Sequence, residues 1–138
     1  MFGGCTAATE GDLIGVWEIT DFSRKLLPDQ MRQAAGQLTL AADGTFEASA
    51  LPVSIGLNSY PWPAAGPEVS LLTGSGHWKL GRAGSQAVVL SIKSAQDGYA
   101  GRVPYSDILS VYADIRGYSL VDYWGDPDAA PGIYYKRR

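Results

Sequence analysis

A single cysteine, Cys5, stands in a chain of 138 residues, which excludes an intrachain disulfide and a Cys-rich zinc site. Histidine is equally scarce: His77 alone cannot build a multi-His metal site, and any catalytic triad would depend on it. Charge is sparse at 18%, with 11 basic against 14 acidic side chains and a formal charge of −3. A nucleic-acid binder is normally basic, so that class of partner is set aside. No run approaches the ~20 apolar residues of a membrane-spanning helix. There is no G-x-S-x-G elbow, no G-x-x-x-x-G-K-[ST] phosphate loop and no G-x-G-x-x-G helix start. His77 neighbours Trp78 on a predicted strand and points away from it, as a surface residue does. No catalytic residue, metal or cofactor is expected.

The residues that are present describe one β-rich domain. The length suits a single core, 46% of the residues are hydrophobic, and 17 Gly and 8 Pro accompany an aromatic content of 11%. Turn formers and aromatics together favour many short strands. Apolar residues recur with a period near two, which predicts strands at Leu13 to Thr20, Gln37 to Leu40, Thr45 to Leu51 and Ser75 to Leu80. Ala87 to Ile92, Ile108 to Ala113, Tyr118 to Trp124 and Ile133 to Lys136 complete the set. The clearest turn is Ala42-Asp43-Gly44, because Asp-Gly readily takes the positive φ of a tight hairpin. One short helix is expected between the first two strands, over Leu26 to Ala35, with Pro28 in its first turn and Gly36 beyond its end. Eight strands can close on themselves and remove their edges, so the expected fold is an all-β, eight-stranded antiparallel up-and-down barrel.

Two connections break the rhythm. Pro52 to Leu72 carries four prolines with Tyr60 and Trp62, and reads as too Pro-rich for a central strand. Ser94 to Tyr105 carries Tyr99 and Tyr105. Such long connections are often functional, and here they lie near one mouth, where their aromatics either border a ligand or fill a small core. Asp122, Asp126 and Asp128 form the densest acidic group; the spacing lacks the later Glu of an EF-hand, and Asp126-Pro127-Asp128 reads as a turn.

Gly15-Val16-Trp17 resembles the G-x-W signature that opens lipocalins and related calycins. The chain also resembles the lipocalin-like domains of uncharacterised actinobacterial putative lipoproteins. Leu13 to Trp17, Asp43-Gly44-Thr45-Phe46, Gly76-His77-Trp78-Lys79-Leu80 and Tyr134-Tyr135-Lys136-Arg137 carry that likeness, with Gly125-Asp126-Pro127-Asp128 before the last strand. The resemblance implies that Trp17 plugs one end while Gly15 leaves room where the strand bends. It also implies that a late basic residue stacks on Trp17. Lys136, Arg137 and Arg138 are the candidates, and Gly15, Trp17, Trp78 and Arg137 are taken as the structural signature. Phe2-Gly3-Gly4-Cys5-Thr6 resembles the end of a bacterial lipoprotein signal, which would make Cys5 a lipid anchor, residues 1–11 a flexible tether and residues 12–138 the barrel. The alternative is a cytoplasmic protein with Cys5 in an N-terminal tail.

The expected function is non-enzymatic binding of a small apolar or amphipathic ligand at a mouth bordered by Tyr60, Trp62, Tyr99 and Tyr105. The expected place is outside the cytoplasmic membrane, with Cys5 as the sole attachment to it. A solid barrel acting as a protein-interaction module of the cell envelope is the competing expectation, and cavity volume separates the two.

Overall fold

A computed structural model describes residues 7–27, 29–55, 68–83, 85–96, 105–123 and 132–138. Residues 7–13 lie against the barrel. The Asp12 carboxylate accepts from the Thr9 backbone N–H at 2.8 Å and from its hydroxyl at 3.0 Å, which fixes the single helical turn α1 (Glu10–Leu13). β1 (Gly15–Ile19) follows. The connection to β2 holds a second turn, α2 (Asp21–Arg24), and a 3₁₀ turn at Asp29–Met31. Helix therefore forms upstream of the expected Leu26 to Ala35. The Thr20 hydroxyl accepts the Ser23 N–H and starts α2 at Asp21, whereas the later stretch supports only the 3₁₀ turn; Pro28 itself lies outside the described residues.

Among the described residues the remaining strands are β2 (Gln37–Leu40), β3 (Thr45–Ile55), β4 (Glu68–Ala83), β5 (Ser85–Ala95), β6 (Tyr105–Asp114), β7 (Gly117–Tyr123) and β8 (Gly132–Arg137). Each pairs antiparallel with the next, and β8 returns to β1 through Trp17 opposite Arg137, so the sheet is a closed up-and-down barrel. The Asp-Gly turn forms as its composition requires: Gly44 has φ +85°, and Asp43 accepts from the Thr45 N–H at 3.0 Å and from its hydroxyl at 2.6 Å.

The strands run longer than alternation alone suggested. Pro52, expected to end a strand, sits inside β3 opposite Leu71, and pairing continues to Ile55 opposite Glu68. β2 stops at Gln37 opposite Ser49. Beyond that point β4 is the strand paired to β3 among the described residues, and a residue without an N–H is tolerated at such an edge. Ala50, at φ +45°, lies in the irregularity between Ala48 and Leu51 and is not one of the fully buried residues.

The interior is filled from inward positions by Trp17, Leu38, Leu40, Phe46, Leu72, Trp78, Val88, Leu90, Ile92, Leu109, Leu120 and Tyr135. Leu13 from α1 and Leu27 from the β1–β2 connection join the same cluster from opposite ends. Val111 packs against it in part, while Ala113, expected inside, is exposed near the β6–β7 turn; Trp124 lies outside the described residues.

Candidate functional site

The two ends of the barrel differ in chemistry. At one end α1 forms a plug. Ala8 is buried, and its backbone is held at both groups by the Gln86 side chain: Ala8 N–H donates to Oε1 and Gln86 Nε2 donates to the Ala8 carbonyl, each at 2.8 Å. Within the stretch expected as a tether, Ala8 is thus tied down, because an amide side chain supplies the pairing a strand would supply. Trp17 is fully buried, with its indole N–H donating to the Leu13 carbonyl at 2.9 Å. The Arg137 guanidinium lies 5.8 Å from the centre of the Trp17 rings and donates to the carbonyls of Asp12 and Ile14. Gly15 is required beside it: at φ +140° a side chain is strained, and a Cβ there would come within 2.9 Å of Arg137 Cδ. Arg138 instead meets Glu18 at 2.6 Å and holds that carboxyl below its usual range. Trp78 closes the neighbouring hairpin, its indole N–H donating to the Ala41 carbonyl at 2.8 Å. His77, opposite Thr45, is exposed.

At the other end the described strands bring polar groups inside. Asp107 on β6 and Asp122 on β7 share the inward face with Leu109 and Leu120, and Tyr135 on β8 stands opposite Leu120. Asp122 is 5% exposed and Tyr135 is fully buried, with its hydroxyl donating to the Pro52 carbonyl at 3.3 Å across the interior. Asp107 keeps partial exposure, yet burial of its carboxyl dominates and pushes its pKa up to about 6, against the pull of the Ile108 N–H that it accepts. Burial also raises the Tyr135 phenol well above its usual range, and the negative charges of Asp122 and Asp107 add to that. The phenol therefore stays neutral and able to donate, beside two carboxyls that accept.

The β1–β2 connection covers part of this end. Arg24 donates to the carbonyls of Arg32, Ala34 and Ala35, and Arg32 donates to those of Leu27 and Lys25 while pairing with Asp29 at 2.7 Å. These two guanidiniums shape the loop that inserts Leu27 and packs Met31 on the core.

Of the residues expected to border a ligand, Tyr60, Trp62 and Tyr99 lie outside the described residues, as do Cys5, Asp126 and Asp128. Tyr105 is the first residue of β6, opposite Ile92. Asp122, grouped on sequence grounds with Asp126 and Asp128 as the densest acidic cluster, lies in β7, within the strand expected over Tyr118 to Trp124, and faces inward. The signal that finds it and Asp107 is parity: Leu109 inward requires Asp107 inward, and Leu120 inward requires Asp122 inward.

No protein-family model, curated protein or solved structure matches the chain. Fold and site together define a closed, eight-stranded, up-and-down antiparallel barrel, plugged at one end and carrying inward polar groups near the other.

Proposed function

We propose that this protein is a non-enzymatic, lipocalin-like binder of a small amphipathic molecule, taken up at the end of the barrel opposite α1. The observation that carries this reading is the placement of Asp107, Asp122 and Tyr135 on inward positions of three consecutive strands, in an interior otherwise built from apolar side chains. Convergent polar groups in an apolar surround orient a ligand. Two carboxyls suit a head group that donates hydrogen bonds or carries positive charge, while Leu51, Leu72, Leu90 and Ile92 suit an apolar tail. The Arg137–Trp17 arrangement beside Gly15 supports the likeness to lipocalins. Attachment outside the cytoplasmic membrane through Cys5 is part of the same proposal.

Calorimetric titration with dodecylamine and with dodecanoate at pH 7.5 tests the reading. The amine is expected to bind more tightly, and Asp122→Asn to weaken it by about tenfold, the loss of roughly one charge-assisted hydrogen bond. Uptake of neither amphiphile, or equal uptake of both by the native chain and the variant, counts against it. Native mass spectrometry of protein from its own host reads any bound molecule and the Cys5 modification together; an unmodified chain beginning at Met1 rejects the anchor.

A further inference from the structure

Among the described side chains, the charges exposed on the outer wall formed by β4 to β8 are basic. Among the described side chains of these strands the two carboxylates, Asp107 and Asp122, both face the interior. The outward positions of β5, β6 and β7, from Ala87 to Ser91, Ser106 to Tyr112 and Ser119 to Val121, are uncharged. Exposed lysines border this strip: Lys79 opposite Val89 and Lys93 at the irregularity in β5 on one side, Lys136 opposite Ser119 on the other. In a chain of net charge −3 the described part of the wall is thus locally basic.

Part of this wall is covered, with Ala87, Ser119 and Val121 buried, and the apolar side chains left exposed lie on β6 and its turn. Ile108 and Tyr112 project from the outer face of β6 at 45% and 52% exposure, and Ile115 at the tip of the β6–β7 turn is fully exposed. Scattered apolar side chains on a surface need no explanation, but three on one hairpin, two of them in an uncharged strip bordered by lysines, mark an interaction surface.

We propose that this wall docks on a lipid bilayer containing anionic head groups, with Ile115 as its leading side chain. Two features favour a bilayer over an acidic protein. A convex barrel wall with one side chain standing proud needs a recess in a protein partner, whereas a lipid surface accommodates it without a preformed shape. Tyrosine with aliphatic neighbours suits the boundary between head groups and acyl chains, and ammonium groups beside it are drawn to anionic lipid. The inference rests neither on a ligand in the barrel nor on acylation of Cys5.

The test is co-sedimentation of the unacylated 138-residue chain with vesicles of phosphatidylcholine alone and of phosphatidylcholine with about one third phosphatidylglycerol. Binding is expected to the anionic vesicles, to fall as salt is raised, and to be absent with the neutral ones. Lys79→Glu with Lys93→Glu is expected to weaken it at least about tenfold, and Ile115→Asp severalfold, with the far-ultraviolet circular dichroism of each variant unchanged. Failure of the native chain to sediment with anionic vesicles at low salt overturns the proposal, as does equal binding by folded variants. Retention on a polyglutamate resin without vesicle binding also overturns it and points to an acidic protein partner instead.

Discussion

Burial of the Asp107 carboxyl strengthens its hold on a proton, from an ordinary 3.8 to about 6. The folded chain then binds that proton more tightly than the unfolded chain, so the stabilisation is complete below about pH 4 and is lost as pH rises to about 6. Asp107→Asn is expected to flatten this slope and to stabilise the protein above pH 6 by about 1–2 kcal/mol, less than the full shift converts to because Asp107 keeps partial exposure. Urea unfolding of both proteins at pH 4, 5, 6 and 7 measures it, and parallel curves contradict the assignment. Glu18 works in the opposite sense: Arg138 lowers its pKa, so its contribution is present above the usual carboxylate range and fades as pH falls through the lowered value. At this scale Trp17, Trp78 and Arg137 stand out in the sequence by the company they keep. The polar groups of the other end were legible only in part. Asp122 was noticed for its acidic neighbours, and its position in an alternating strand, which decides where its side chain goes, was not applied to it.

Close approach of backbones governs the longest strands. A Cβ built on Gly76 would lie 2.0 Å from the Ser91 carbonyl oxygen, and one on Gly74 would lie 2.2 Å from that of Ser94, on either side of the shift in register between β4 and β5. Gly76→Ala is expected to cost at least about 2–3 kcal/mol, because rigid sheet must move to admit a methyl group. Gly81→Ala, whose Cβ would meet only the Val89 Cγ2 at 3.3 Å, is expected to cost under about 1 kcal/mol. Thermal unfolding of the pair separates steric need from general loss of a glycine. All eight strands were anticipated, because Gly and Asp-Gly turns punctuate them and apolar residues alternate within them. The helical turns were not placed: a four-residue helix has no periodicity to read, and its evidence is a capping pair such as Thr9 with Asp12 or Thr20 with the Ser23 N–H. Pro52 misled in the other direction, since proline is excluded from a strand only where both edges are paired.

The whole molecule is a ring of strands whose continuity depends on β1 meeting β8, with the segment before β1 folded back over one opening. That segment is held by few groups, the Gln86 amide and the Leu13 side chain foremost among them. Gln86→Ala is expected to raise amide hydrogen exchange over residues 8–13 by roughly tenfold while leaving β3 to β5 as protected as before, since local opening draws on local contacts. A uniform rise throughout the barrel would instead make the plug part of the global folding unit. The barrel as a whole was readable from composition and spacing. The plug was not, because it rests on a contact between Ala8 and Gln86, 78 residues apart. Closure between the first and last strands also decides how the molecule responds to being pulled. β1 begins and β8 ends beside the same opening, and the two run antiparallel. Tension applied at residues 7 and 138 therefore loads the hydrogen bonds of that seam one after another rather than all together. Under a mechanical load the barrel opens like a zip, and its resistance is set by the weakest rung and not by the sum.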